Sequence, residues 1–147
     1  MVKNINWTTV HSVIELGAGT GIFTQYILKH VLPGTKIIII EIEEAYAKLL
    51  HEKFWNAITI EQADVKDIEH IRQKHHIWKI DLIISWLPFL PAQSIHDELK
   101  SYLAQGTIFR TFTYQPSTFK KFYTDFAVRK IGFTWLNIPP TWVYGVN

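Results

Sequence analysis

The chain has 147 residues, of which 48% are apolar and 19% charged, with 7 Gly, 6 Pro and a formal net charge of +2. These proportions are those of one compact domain with a single sizeable core, and they exclude a disordered, collagenous or repeat protein. The lack of cysteine excludes disulfides, thiolate nucleophiles and Cys-based metal sites, and no run approaches the roughly 18 apolar residues of a membrane span.

Short apolar runs alternate with amphipathic stretches, the pattern of strands alternating with helices. Residues 10–16 predict a strand that ends in the glycine cluster GAGTG. A helix follows over 22–32, with Phe23, Tyr26, Ile27 and Val31 on its inner face, and Pro33 and Gly34 close it. The run KIIII at 36–40 is apolar enough for a strand buried on both faces. Residues 43–54 predict a helix that turns Tyr46, Leu49 and Leu50 inward. A third strand at 57–61 and a helix at 65–75 come next, then a strand at 81–85 that stops at Trp86, Leu87 and Pro88. Residues 94–104 align Ile95, Leu99 and Leu103 on a helix ended by Gly106. A strand at 107–114, a helix at 117–128 and strands at 131–137 and 141–146, flanking Pro139 and Pro140, complete the chain. The expected fold is α/β and Rossmann-like: a mostly parallel seven-stranded sheet with helices on both faces and a C-terminal antiparallel hairpin.

Charge is unevenly spread along this order. Residues 1–105 carry ten Lys or Arg and twelve Asp or Glu, whereas 106–147 carry Arg110, Lys120, Lys121, Arg129 and Lys130 against Asp125 alone. The same C-terminal third holds eleven of the 21 aromatic residues. A basic aromatic segment suits an anionic partner, either nucleic acid or an acidic membrane surface. Aromatics at strand and helix spacing equally suit a core.

The segment VIELGAGTG at 13–21 joins the first strand to the first helix through Gly17, Gly19 and Gly21, a turn that lets a ligand lie on bare backbone. Glu41 ends the second strand, where a carboxylate can accept both hydroxyls of a ribose. A dinucleotide site would need glycine at residue 22, which is Ile22; G-x-G-x-G after Glu15 suits a ligand without a pyrophosphate. With Glu41 and the later Gln62, Ala63 and Asp64, ELGAGTG closely resembles the class I S-adenosylmethionine-dependent methyltransferases, in strand order over nearly the whole chain.

That resemblance implies S-adenosyl-L-methionine as cofactor. Gly17, Ala18, Gly19, Thr20 and Gly21 would pass beneath its methionine part, and Glu15 would hold the ammonium directly or through water. Glu41 would take the ribose hydroxyls, Ile42 the adenine face, Asp64 the adenine amino group and the Val65 N–H a ring nitrogen, with Ser85 closing the site. Asp64 also suits a helix cap and Glu41 a surface charge. Related enzymes carry helices ahead of the first strand that cover the cofactor; about nine residues precede it here, so that lid is expected to be missing.

The acceptor is read from later segments. DLIISWLPF at 81–89 has the shape of the N-x-P-Y segment of adenine N6-methyltransferases, including the ribosomal RNA adenine dimethylases. Aligned on Pro88, it puts Trp86 where Asn is needed, and Trp donates one hydrogen bond and accepts none. Ser85 is the possible substitute, one place upstream, and Phe89 keeps the aromatic position. A better match is to the soluble-type bacterial phospholipid N-methyltransferases, carried by Ser85, Leu87 and Pro88, then Phe112, Thr113, Tyr114 and Pro116, then Asn137, Pro139, Pro140, Val143 and Tyr144.

This second resemblance implies methyl transfer to the amine of a phosphatidylethanolamine-like head group. Trp86, Phe89 and Tyr114 are expected at the mouth, where aromatic faces hold a methylated cation; the same three also suit the core. Tyr114 is the candidate to orient the amine or pass on its proton, and Ser85 the remaining candidate polar group. No histidine pair has metal spacing, so no metal is expected. The expected location is cytoplasmic, docked on the inner membrane face through the basic aromatic third. The alternatives are an RNA adenine N6-methyltransferase and a truncated domain that binds the cofactor without turnover.

Overall fold

The computed structural model describes residues 2, 4–87, 89–134 and 140–146. Seven strands, β1 (Ser12–Leu16), β2 (Lys36–Glu41), β3 (Thr59–Gln62), β4 (Leu82–Ser85), β5 (Ile108–Thr113), β6 (Val128–Thr134) and β7 (Thr141–Val146), form one sheet in the order β3-β2-β1-β4-β5-β7-β6. The first five run parallel; β7 is antiparallel to both of its neighbours. The expected closing pair is thus present, with β7 in the inner place between β5 and β6. Trp135, Asn137 and Pro139, within or beside the predicted strand at 131–137, lie outside the described residues, as does Pro88.

The helices are α1 (Ile22–Leu28), α2 (Glu44–Lys53), α3 (Ile68–Lys74), α4 (Leu90–Ser94), α5 (His96–Ala104) and α6 (Pro116–Phe122). Several differ from expectation for local reasons. α1 stops four residues short of residue 32 because His30 N–H bonds Ile27 O, three residues back, tightening the turn ahead of Pro33. The predicted helix at 65–75 opens as a 3₁₀ turn, Val65–Asp67. The one at 94–104 is preceded by the short α4 and begins only after Ile95, whose backbone (φ −134°, ψ 39°) is not helical. α6 ends at Phe122, and Val128 already belongs to β6.

Strand alternation sorts the core. Ile14, Leu16, Ile38, Ile40, Ile83 and Phe109 face one way, into a cluster with Ile71 of α3, Leu99 of α5 and Phe119 of α6. Val13, Ile37, Leu82 and Ile84 face the other way with Ile27 of α1, and Ile39 meets Ala47 and Leu50 of α2. Two helix faces are rotated from expectation. On α1 the buried residues are Thr24 and Ile27, with Tyr26 exposed; on α2 they are Ala47 and Leu50, with Tyr46 and Leu49 exposed. Most of the C-terminal aromatics are core: Phe109, Phe112, Phe119, Tyr123, Phe126 and Tyr144 are all buried. Among the described residues no helix is long and apolar enough to cross a membrane.

Candidate active site

β1 ends at Leu16, and the chain turns through Gly17, Ala18, Gly19 and Thr20 to open α1 at Gly21. All three glycines have positive φ, of 70°, 54° and 73°, which disfavours any other L residue. Their surroundings differ. A Cβ on Gly17 would lie 2.9 Å from Leu87 Cδ2, and one on Gly21 2.5 Å from Phe54 Cε2, so at both a neighbouring side chain fills the space. A Cβ on Gly19 would meet nothing within 4 Å. Gly19 is therefore where bare backbone faces open space. Ala18 packs toward the cluster of Ile39 and Leu50, and Thr20 is exposed, its carbonyl taking Lys53 Nζ at 2.9 Å.

Glu41, at the end of β2, folds back on this turn. Its Oε2 accepts from the Gly19 N–H at 2.9 Å and its Oε1 from the Glu43 N–H at 3.1 Å. A carboxylate has about four lone-pair sites, so both oxygens keep capacity for hydroxyl donors. Next to it Ile42 is 60% exposed, an apolar side chain standing in solvent. Asp64 caps the 3₁₀ turn, Oδ1 accepting from the Lys66 N–H at 3.0 Å, which leaves Oδ2 without a hydrogen bond among the described residues. Capping therefore occupies one oxygen only. The Val65 N–H opens the same turn, where a first-turn donor has no internal partner. Gly17, Glu41, Ile42, Asp64, Val65 and Leu87 converge on a slot of about 70 Å³.

Glu15 lies on the row of β1 that faces α1, and it is fully buried. Its Oε2 accepts from the Thr24 hydroxyl at 2.7 Å and its Oε1 from the Trp86 indole N–H at 2.9 Å. Burial, opposed by those two hydrogen bonds and assisted by the charge of Glu41, pushes the carboxyl pKa up to about 7. Trp86 is thereby fixed at the end of β4. Its ring lies on Phe23, with centroids 3.7 Å apart, and tilts against Phe112 at 5.2 Å. Those rings, Tyr114, and Ile131 and Val143 of the last two strands wall a largely apolar cavity of about 410 Å³. Tyr114 is 45% exposed and stands edge-on to Phe112.

The FtsJ-like methyltransferase family matches this chain over residues 1–121. The chain belongs to that family. An ornithine lipid N-methyltransferase of Singulisphaera acidiphila is 33% identical to it over 152 residues, covering 97% of this chain and 79% of that protein. Among solved structures, Aeropyrum pernix fibrillarin with natively bound S-adenosyl-L-methionine superposes with a TM-score of 0.76 at 12% identity, over 93% of this chain and 66% of the other. The O-methyltransferase of Bacillus cereus in complex with SAH gives 0.71 at 11%, over 92% and 73%. At such identities the likeness is one of fold, that of the class I methyltransferases.

In this methyltransferase two expected acceptor-side residues stand apart from the aromatic cavity. Phe89 does not line it; its ring packs against Phe122 at 5.1 Å. Ser85 is buried, and its hydroxyl both donates to Leu87 O and accepts from the Leu87 N–H, each at 3.1 Å. It shapes the end of β4 and points at neither the cavity nor the slot. Three residues were not singled out by sequence: Thr24, Phe23 as the ring under Trp86, and Leu87 against Gly17. Thr24 carries a readable signal, a hydroxyl three residues before Ile27 on a buried helix face. The other two depend on which strand end lies beside which helix, and no local pattern holds that.

Proposed function

We propose that this methyltransferase moves a methyl group from S-adenosylmethionine to the amine of a lipid head group, of the phosphatidylethanolamine or ornithine lipid kind. The cofactor supplies a sulfonium methyl that an amine lone pair takes by in-line displacement. The chain's residues fit it: bare backbone at Gly19, spare acceptor capacity on Glu41 and Asp64, a donor at Val65 and an apolar flank at Ile42. Glu41→Ala is expected to weaken cofactor binding by about 1–3 kcal/mol in calorimetry, since the ribose loses its acceptor. Unchanged affinity removes Glu41 from the site.

The observation that carries the acceptor reading is the aromatic cavity. Phe23, Trp86, Phe112 and Tyr114 wall it, and the Trp86–Glu15 hydrogen bond ties it to the strand that feeds the glycine turn. Apolar walls disfavour the ammonium form of an entering amine, and so favour the form with a lone pair. A methylated product sheds N–H donors but keeps its charge, for which ring faces are fitting partners. The 33% identity to an ornithine lipid N-methyltransferase supports the same class of acceptor. Arg129 and Lys130, exposed on β6, favour approach to an anionic membrane surface. Adenine is a poorer fit, because the Trp86 N–H is spent on Glu15 and the ring offers a base amine no acceptor.

Purified protein with methyl-labelled cofactor tests this against mixed micelles of each lipid and against RNA. Label in the lipid amine is the expected result. Label in RNA, or intact cofactor binding with no transfer, rules the reading out.

A further inference from the structure

Beside the aromatic cavity, and sharing Ile131 with it, lies a second cavity of about 230 Å³ lined by Asn4, Arg110, Arg129, Lys130, Ile131 and Gly145. Its character is different. Three cationic residues line it, and among the described residues none of them makes an ion pair with a carboxylate; the Lys130 ammonium stands over the Phe133 ring, 5.3 Å from its centroid. Arg110 is the inner one. It projects from β5 on the same face as Ile108 and Phe112, its Nε is buried with no hydrogen-bond partner, and Nη1 reaches only Phe109 O, at 3.4 Å. Burial, with the nearby charge of Arg129, holds its guanidinium below the usual arginine range.

A half-buried cation with unused donors is unfavourable unless an anion completes it. The backbone makes room for this one: a Cβ on Gly145 would lie 2.6 Å from Arg110 Nη1 and 2.7 Å from Ile131 Cδ1, so the guanidinium rests on bare glycine. Arginine's fork matches the paired oxygens of a phosphate or carboxylate. We infer that Arg110, with Arg129 and Lys130 at the rim, binds the oxyanion of the acceptor lipid's head group while the amine enters the adjoining aromatic cavity. This rests on the lipid-amine reading above. An ethanolamine phosphodiester and an ornithine lipid carry that amine and an anion a few bonds apart, and the two cavities share Ile131 as a common wall.

The Arg110 side-chain N–H resonance, followed by NMR in the intact protein, gives a direct test with phosphoethanolamine, ornithine and inorganic phosphate as separate probes. Phosphoethanolamine or ornithine should shift it, and the one that does identifies the anion as phosphate or carboxylate. Gly145→Ala keeps every charge but displaces the guanidinium. It should abolish the shift and raise KM for the lipid in mixed micelles by about ten- to hundredfold, the loss of one charge-assisted hydrogen-bonded contact, with cofactor affinity unchanged. Arg110→Gln should do the same. A resonance that no probe moves, or that inorganic phosphate alone moves, overturns the assignment. Binding at Arg110 without methyl transfer leaves this site standing and defeats the lipid-amine function; transfer with Arg110 unmoved does the reverse.

Discussion

Glu15→Gln is expected to make the folded protein more stable at pH 8 and a poorer binder of S-adenosylmethionine. The folded-state pKa of about 7 stands above the unfolded value of 4.5, because burial outweighs the hydrogen bonds from Thr24 and Trp86. A raised carboxyl pKa gives stability that is fully present below pH 4.5 and is lost as pH rises through 7. The loss amounts to about 3 kcal/mol by pH 8. Glutamine has no such titration. Its oxygen still accepts from the indole, and the Thr24 hydroxyl can reverse its role and accept from the amide. Thermal unfolding from pH 5 to pH 8 should therefore show the wild type falling relative to the variant. Parallel curves for the two proteins would remove Glu15 as their pH-sensitive group. An ammonium held by Glu15, as the family resemblance implies, favours the ionised carboxylate, so wild-type affinity should drop as pH falls through 7, and that pH dependence should vanish in the variant.

The glycine turn separates folding from binding within three residues. Gly21→Ala places a methyl group 2.5 Å from Phe54 and 2.7 Å from Leu50 at a φ of 73°. Left-handed strain of about 1–2 kcal/mol adds to overpacking of about 1–3 kcal/mol, a large part of a typical domain's stability. Gly19→Ala bears the strain without the clash, and its methyl group enters the open space above the turn. Urea midpoints should therefore fall far more for the first variant, while the second stays folded and loses at least about tenfold in cofactor affinity, as when a close backbone contact is blocked. Equal destabilisation, or normal cofactor binding by Gly19→Ala, contradicts this division.

Strand count, order of elements and the glycine turn were legible because each is a local pattern: an apolar run, a turn residue, a period. The helix faces were legible in part: Ile95, Leu99 and Leu103 pack as the 94–104 period implies, whereas the faces of α1 and α2 are turned. Periodicity puts Phe23, Tyr26, Ile27 and Val31 on the inner side of α1; Ile27 is buried there, but Tyr26 is exposed and the helix is turned so that Thr24 reaches a carboxylate on β1. The fourth-strand motif put Trp86 at the acceptor mouth, and Trp86 does line the aromatic cavity, but only the packed structure shows its N–H turned inward to Glu15. Ser85 and Phe89 matched a linear pattern whose side chains the turn after β4 sends elsewhere. The cationic cavity was legible only as a basic segment. The charge count marked Arg110, Arg129 and Lys130 as cations suited to an anion, but not that they share one cavity: Arg129 and Gly145 reach Arg110 only through strand pairing.

The inner place of β7 has a consequence for how the molecule assembles. Among the described residues β6 pairs only with β7, so it must wait, already synthesised, until the later strand arrives and bridges it to β5. The parallel core from β3 to β5 can pair while that segment is still free. Residues 1–121, which match the family, thus include all the strands that can pair early, whereas Ile131, Val143 and Gly145, which shape both cavities, arrive with the strands that dock last. A nascent chain would form the slot beside Glu41 before the last two strands closed either cavity.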